Sequence, residues 1–158
     1  MSRSIELILI KRITGFTSLP FVLAITFFYS FLFLFAQNSI STEGFGQKWV
    51  NINDLDISGD QITIEAFVLS QNWSNANILS KHSATDDCNY LFRQSNFQVS
   101  TTDGFEVCSN TITLTNNTWY HLAGTYDGEA IKFYVNGCLV NETAHTGSLI
   151  TNDWAAAI

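Results

Sequence analysis

The feature of this chain that most constrains its fold is a segment with two tight-turn dipeptides set between short apolar runs. The segment extends from Asn117 to Val140, and the dipeptides are Asp127-Gly128 and Asn136-Gly137. Asp-Gly and Asn-Gly tolerate the positive φ angles of type I′ turns, so in this setting they predict antiparallel hairpins. Two hairpins in succession indicate a β-meander of three strands.

Strand-like runs also recur through the rest of the chain beyond residue 36, and no long stretch has the 3.6-residue period of a helix. Each run is rich in apolar or β-branched residues and ends at turn residues; the runs are 48–52, 62–69, 77–81, 90–93, 97–101, 105–108, 111–114, 119–126, 131–135 and 138–141. Short strands at regular spacing predict an all-β, antiparallel β-sandwich of the jelly-roll type. About 120 residues are enough for one such domain and too few for two.

The run 62–69 is predicted to be a central strand, because both of its faces carry apolar residues. Glu65 lies on this strand and therefore needs a partner or a path to solvent. Trp119 begins a later strand and is predicted to anchor the core or a sheet edge, since large aromatic residues dominate such cores. His121, on the same strand, is predicted to be structural.

The first 36 residues have the order of a secretory signal. Lys11 and Arg12 precede a dense apolar run from Leu19 to Ala36, after which the chain turns polar. This order predicts a hydrophobic signal helix that is cleaved after Ala36. Because the run approaches the ~20 residues that span a bilayer, an uncleaved membrane anchor through residues 19–36 is the alternative. Either way, residues 37–158 form one domain that is secreted or held at the cell surface.

The exported part of the chain is acidic. Residues 37–158 hold four basic and 13 acidic residues, a formal charge of −9. Such a surface repels phosphate backbones, so nucleic acid is not an expected partner. Contact with a membrane is expected only through residues 19–36, if they remain attached.

Three segments, in the same order, resemble motifs of the laminin-G-like domains of the concanavalin A-like jelly-roll superfamily. Gln61–Val68, with the sequence QITIEAFV, is similar to the family's TIEAWV strand, and Asn77–Lys81 is similar to the strand that follows it. Asn117–Val140 resembles the motif WYHVAGTYDG…I.LYVNG.LV. The resemblance covers the chain from residue 43 to its end. It implies a jelly roll but not one function, since the superfamily includes adhesion lectins, calcium-dependent binders and glycoside hydrolases.

The resemblance also implies that C-terminal strands are missing. Members of the family continue through an "IG" strand and a final strand of the GxIDEVRIYN type, whereas this sequence reaches Ile158 where the first of these would begin. We therefore expect a sequence truncated at its C-terminus.

Catalysis is not expected, because no suitable pair of carboxylates is present. A retaining glycosidase needs two carboxyl groups about 5–5.5 Å apart, which on a strand calls for a pattern such as E-x-D-x-E. Asp54 and Asp56 have the spacing but lack a third carboxylate, and Glu65 stands alone on its strand. The chain is therefore predicted to bind a ligand without transforming it.

The candidate binding residues lie in loops. Asp86 and Asp87 are candidate calcium ligands, although calcium takes six to eight oxygen ligands and the sequence offers no complete set. Asp103 and Asp127 are explained by the turns that they begin. Trp73 is a candidate ligand-binding residue, since its ring would suit stacking on a sugar, and an ordinary loop anchor is the alternative.

The cysteine count suits export with one disulfide. Cys88, Cys108 and Cys138 all lie in the β domain, and an oxidising compartment favours a bridge. Cys88 and Cys108 are expected on non-adjacent strands at different heights, beyond the ~7 Å Cα separation that a bridge tolerates. We therefore predict a disulfide between Cys138 and either Cys88 or Cys108, with the choice left open.

The prediction from the sequence is an exported, non-catalytic binding or adhesion module whose partner is an extracellular glycan or protein. Calcium is the one cofactor considered. A carbohydrate-binding module that serves a glycoside hydrolase is the first alternative, and a structural domain of the cell envelope is the second.

Overall fold

The computed structural model of the protein describes residues 5–8, 40–41, 49–73, 77–83 and 88–158. In this part of the chain ten strands form two antiparallel sheets that enclose one core, and there is no helix. The strands are β1 (Ile5–Ile8), β2 (Ile40–Ser41), β3 (Ile62–Ser70), β4 (Asn77–His82), β5 (Cys88–Arg93), β6 (Asn96–Thr101), β7 (Gly104–Ser109), β8 (Trp119–Tyr126), β9 (Ala130–Val135) and β10 (Cys138–Ala144). The predicted all-β antiparallel sandwich is confirmed. Within the described residues no helix is long and apolar enough to cross a membrane.

The larger sheet has the strand order β10-β9-β8-β3-β1-β2. The segment Asn117–Val140 supplies β8, β9 and the start of β10, so the predicted meander is confirmed. At the β9–β10 turn Asn136 and Gly137 both have positive φ, 51° and 79°, as a type I′ turn requires. The β8–β9 connection differs from the prediction. Of Asp127 and Gly128 only the glycine has positive φ, and the loop is three residues long, because the Asp127 carboxylate accepts the backbone N–H groups of the residues that follow.

The smaller sheet has the order β4-β5-β6-β7, and the C-terminal segment adds to its edge. The backbone of Ala157 exchanges two hydrogen bonds with that of Ser80 on β4, at 2.8 and 2.9 Å. On its other side the segment pairs with the stretch near residue 50, where Val50 and Ile158 exchange two more. The predicted strand at 48–52 is therefore replaced by a short irregular pairing, at least over residues 49–52, which the structure describes.

The core lies between the sheets and follows the alternation of each strand. Along β3 the inward residues from Ile62 to Ser70 are all buried, and the intervening residues are partly or well exposed. The largest side chains in the centre are aromatic: the rings of Phe92 on β5 and Phe133 on β9 lie 5.8 Å apart across the two sheets. Burial of such surfaces stabilises the fold by roughly 25 cal/mol per Å² of apolar area.

The predicted signal or anchor falls almost wholly outside the described residues, which include only Ile5–Ile8 of the first 36. These four residues form β1, which pairs antiparallel with β3 from Ile5 opposite Ser70 to Ile8 opposite Phe67. The assignment of the first 36 residues as a signal or anchor stays a prediction.

Candidate ligand-binding pocket

The loops that the sequence singled out lie at two opposite ends of the sandwich. Strand β6 runs from the β5–β6 turn to the β6–β7 turn, a distance of about 20 Å for six extended residues. Trp73 lies at the first end, where Gln94 of the β5–β6 turn donates to its carbonyl oxygen. Asp103 lies in the β6–β7 turn at the second end. Nothing in the sequence indicated that Trp73 and Asp103 lie at opposite ends, and the structure gives the two residues different surroundings.

At the Trp73 end there is a pocket of about 320 Å³. It is formed where the loop after β3, the β5–β6 turn and the connection from β7 to β8 meet. The residues that line it are mostly polar and uncharged: Trp73, Gln94, Ser95, Asn110, Ile112, Thr113 and Leu114. Its volume is at the lower end of the range of small-molecule sites. We call it the Trp73 pocket.

Trp73 is both a wall of this pocket and an anchor of its loop. The indole Nε1 donates a hydrogen bond of 2.9 Å to the carbonyl oxygen of Thr115. Its ring meets that of Tyr120 edge-on, with centroids 5.8 Å apart. The two readings of Trp73 from the sequence, ligand platform and loop anchor, are therefore compatible, because the buried part of the ring packs on the core while the rest faces the pocket.

Gln94 forms the floor of the pocket and is nearly buried, at 5% exposed. Its side-chain Nε2 donates a 3.4 Å hydrogen bond to the backbone carbonyl oxygen of Trp73. Its backbone carbonyl oxygen accepts a 2.9 Å hydrogen bond from Nδ2 of Asn110. Its Oε1 has no hydrogen-bond partner among the described residues. A buried acceptor without a donor costs roughly 1–3 kcal/mol. Because no surface of this oxygen is accessible from the pocket, the oxygen is a cost within the fold and not a contact point for a ligand.

The wall opposite Trp73 is an irregular segment where the sequence predicted a strand, at 111–114. The side-chain Oδ1 of Asn110 accepts from the backbone N–H of Ile112 at 2.8 Å, and the N–H of Thr115 donates to the Tyr120 hydroxyl at 3.1 Å. The hydrogen bond from Thr115 also lowers the pKa of Tyr120. Side chains thus occupy backbone groups that a strand would need for its ladder. The apolar alternation at 111–114 predicted a strand and gave no sign of this irregular backbone. The one local sign against a strand was Asn110, a residue type whose side chain often bonds the backbone two residues later.

At the opposite end the carboxylates of Asp103 and Asp127 both have partners within the protein. Asp103 accepts a 2.6 Å hydrogen bond from the hydroxyl of Thr146, and Asp127 accepts from the ammonium of Lys132 at 2.7 Å. In the part of the chain that the structure describes, no group of three or more His, Cys, Asp or Glu side chains is arranged to hold a metal ion. Asp86 and Asp87, the candidate calcium ligands, lie outside the described residues, so that prediction is untested.

Asp54 and Asp56, the two carboxylates with catalytic spacing, hold a buried lysine. The side chain of Lys81 is fully buried, and its Nζ contacts Asp54 and lies 3.1 Å from Asp56. It also donates to the carbonyl oxygens of Asn152 and Trp154 in the C-terminal segment. This arrangement ties both terminal segments of the domain to β4.

The outer face of the larger sheet carries a second group of aromatic residues. Trp119 and Phe67 lie on neighbouring strands and are 42% and 39% exposed. Trp119 is therefore outside the core, contrary to the core alternative predicted for it. His121 lies between them, with its ring centroid 4.9 Å from that of Phe67 and its Nε2 3.2 Å from Oε2 of Glu65. The partner that Glu65 needed is thus His121.

The predicted disulfide is not formed, although all three cysteines lie in the described part of the chain. None of Cys88, Cys108 and Cys138 is bridged. Burial raises the pKa of the Cys108 thiol, and the neighbouring Thr143 on β10 offsets part of that rise. Cys138 begins that strand five residues earlier, about 16 Å away along an extended chain and beyond the reach of a bridge. The expectation that Cys88 and Cys108 lie on non-adjacent strands at different heights is confirmed, because Cys108 is opposite Phe97 and Cys88 lies at the far end of β5.

Comparison with known proteins places this geometry in a family. The Laminin G 3 family model, described as the concanavalin A-like lectin/glucanases superfamily, matches residues 44–158. The match includes every strand from β3 to β10 and all residues of the Trp73 pocket. No curated protein matches the chain. Because the family model covers most of the sequence, the chain belongs to the laminin G-like family of the concanavalin A-like lectin/glucanase superfamily.

Proposed function

We propose that this chain is an exported, non-catalytic binding module that recognises carbohydrate in the Trp73 pocket. Laminin G-like domains are generally non-catalytic binding modules and are typically extracellular, and their fold suggests a protein or carbohydrate ligand. The observation that supports this site is a cavity of about 320 Å³ walled by an indole together with amide and hydroxyl groups.

The chemistry of the pocket suits a sugar. A sugar ring presents C–H bonds on one face, which pack against an aromatic ring, and hydroxyl groups around its rim, which both donate and accept hydrogen bonds. Trp73 supplies the apolar wall. Asn110, Thr113 and Ser95 supply polar groups along the walls.

A protein ligand is the second candidate, and a different surface favours it. The outer face of the larger sheet exposes Phe67, Trp119 and Leu139, the last at 50%. Exposed aromatic residues on a flat sheet face suit a protein partner better than a single sugar, since protein interfaces bury broad surfaces centred on aromatic anchors.

The test is glycan-array binding by the full exported chain, with and without calcium, because Asp86 and Asp87 remain candidate calcium ligands. The proposal expects binding to a defined sugar that is lost in Trp73→Ala. It expects the same loss in Ile112→Arg, which places a long side chain in the pocket from an exposed position. Trp119→Ala is the matched control, since it removes the same side chain, an indole, from the sheet face.

The outcomes separate the candidates. Loss of binding in Trp119→Ala with retention in Ile112→Arg would move the ligand to the sheet face. If the folded protein binds no glycan on the array, carbohydrate recognition is contradicted and the protein ligand is favoured. Thermal unfolding of each variant identifies any loss of binding that is due to unfolding, which matters most for Trp73→Ala because Trp73 anchors its loop.

A further inference from the structure

We infer that the Trp73 pocket selects neutral sugars and rejects anionic ones, those that carry a carboxylate or sulfate at the bound unit. The inference rests on the proposed function and specifies the class of ligand at the same site. It follows from the uncharged lining of the pocket and from the acidic character of residues 37–158, and the size of the pocket sets how much of the ligand it concerns.

None of the residues that line the pocket carries a formal charge. Arg93 directly precedes Gln94, but it is not a lining residue, and its Nε donates a 2.8 Å hydrogen bond to Oδ1 of Asn77. The pocket therefore has no cation on its described walls to neutralise an anionic ligand.

An anion in the pocket would exchange part of its hydration for uncharged hydrogen-bond donors and would gain no opposite charge. The formal charge of −9 on residues 37–158 opposes its approach as well. A neutral hydroxyl has no such penalty, because the amide and hydroxyl groups of the walls can replace its water.

The size of the cavity limits the ligand to a short one. A volume of about 320 Å³ is near the minimum for sites that enclose small molecules. The bound unit is therefore the end of a glycan or a short segment of one, and a charge elsewhere on a longer chain would remain in solvent.

The experiment compares ligands that differ only in charge. The full exported chain is titrated calorimetrically with the neutral sugar that gives the strongest array signal, and with the sialylated and sulfated forms of that sugar. The expected result is binding of the neutral sugar, at least tenfold weaker binding of both anionic forms, and loss of all binding in Ile112→Arg. Ser95→Lys adds a cation to the pocket wall and is expected to strengthen binding of the anionic forms at least tenfold. Thr151→Lys, which adds the same charge at an exposed residue outside the pocket, is expected to change neither.

Two results would overturn the inference, and they are distinguishable. Equal or tighter binding of the anionic forms, abolished by Ile112→Arg, would refute neutral selection and leave carbohydrate binding at the pocket intact. An absence of any saccharide binding by a protein with a normal unfolding transition would refute the proposed function and the inference together.

Discussion

Gly124 on β8 lies directly against the ring of Phe97 on β6. A Cβ atom on Gly124 would stand 2.4 Å from Cγ of Phe97 and 2.8 Å from its Cβ, closer than unbonded carbon atoms approach. Phe97 is fully buried, and its ring meets that of Phe92 edge-on. The absence of a side chain at 124 therefore lets the two sheets approach closely enough to enclose this aromatic pair.

The first prediction is that Gly124→Ala destabilises the domain by roughly 1–3 kcal/mol, because the added methyl group overpacks the core at Phe97. Urea unfolding followed by tryptophan fluorescence measures the change. Thr125→Ala is the control, since Thr125 is the next residue on β8 and points away from the core. Equal unfolding midpoints for Gly124→Ala and the parent protein would mean that the sheets separate at no cost at this point.

The second prediction concerns the ammonium of Lys81, which four oxygen atoms surround. Lys81→Met keeps most of the side-chain volume but leaves Asp54 and Asp56 without their cation. We expect a loss of about 2–3 kcal/mol, within the range for charged hydrogen bonds and buried ion pairs that lose one partner. Lys132→Met is the control: its pair with Asp127 is partly exposed, and exposed pairs contribute little because solvent screens them.

Alkaline pH provides an independent check on Lys81. Burial alone would lower the pKa of Lys81, but hydrogen bonds to Asp54 and Asp56 outweigh it and raise the pKa above the ordinary 10.5. A raised pKa means that the stabilisation is complete below pH 10.5 and is lost as the pH rises through the folded-state value. The difference between the parent protein and Lys81→Met should therefore shrink above that pH. A difference that stays constant to pH 12 would contradict the role of the charge.

The third prediction is that Tyr90 is protonated in the folded protein at pH values where ordinary tyrosines ionise. Burial, with smaller contributions from Asp56 and Asp54, raises its pKa to about 12, and its hydroxyl donates to the carbonyl oxygen of Leu55. Stability should therefore fall between pH 10 and 12, since the unfolded chain releases this proton first. Spectrophotometric titration of the phenolates should show a late ionisation whose amplitude Tyr90→Phe reduces, the remainder being due to Tyr126, whose pKa burial also raises. Ionisation of all tyrosines near pH 10 in folded protein would contradict it.

The strands and the meander could be predicted because they depend on local patterns. The alternation in β3 predicts which residues of that strand face the core, and the Asn136-Gly137 dipeptide predicts a tight turn. The structure agrees with both predictions. Trp119 shows where prediction from local patterns ends, because an aromatic residue at the start of a strand can face either side of the sheet. Only the strand register decides the side, and it places Trp119 opposite Leu69 on the outer face.

The pocket could not be predicted as a whole, because its parts come from three loops. Trp73 was singled out from its residue type, but Gln94 and Asn110 acquire their roles through hydrogen bonds over 16 to 21 residues of sequence. Side-chain bonds of this kind also turned the predicted strand at 111–114 into a pocket wall. The disulfide prediction failed for a related reason, since separation along β10, rather than the number of cysteines, decides whether Cys138 can reach a partner.

The fourth prediction is that Asp127 stabilises the β8–β9 turn in a pH-dependent way. A hydrogen bond from Lys132, then those from the backbone N–H groups of Ala130 and Glu129, lower the pKa of Asp127 to about 2. Its contribution is therefore complete above about pH 4 and is lost as the pH falls through 2. Because the side chain is 43% exposed, we expect Asp127→Ala to cost no more than about 1 kcal/mol at pH 7. Urea unfolding at pH 7 and pH 2 measures it, with Asp153→Ala as an exposed control. A cost that is the same at both pH values would exclude the charge as its origin.

The last prediction is that one cysteine of the native protein reacts rapidly with a thiol reagent. Cys138 is exposed at the start of β10, whereas Cys88 and Cys108 are 2% and 0% exposed. Burial also raises the pKa of the Cys108 thiol, which reduces the thiolate that reacts. Titration with a chromogenic disulfide should therefore give one fast thiol in native protein, three after denaturation, and none that is fast in Cys138→Ser. Two fast thiols would mean that the core opens readily around Cys88 on β5 or Cys108 on β7. No fast thiol, with only one after denaturation, would mean that Cys138 is bridged after all, and that β10 shifts by several residues to make the bridge.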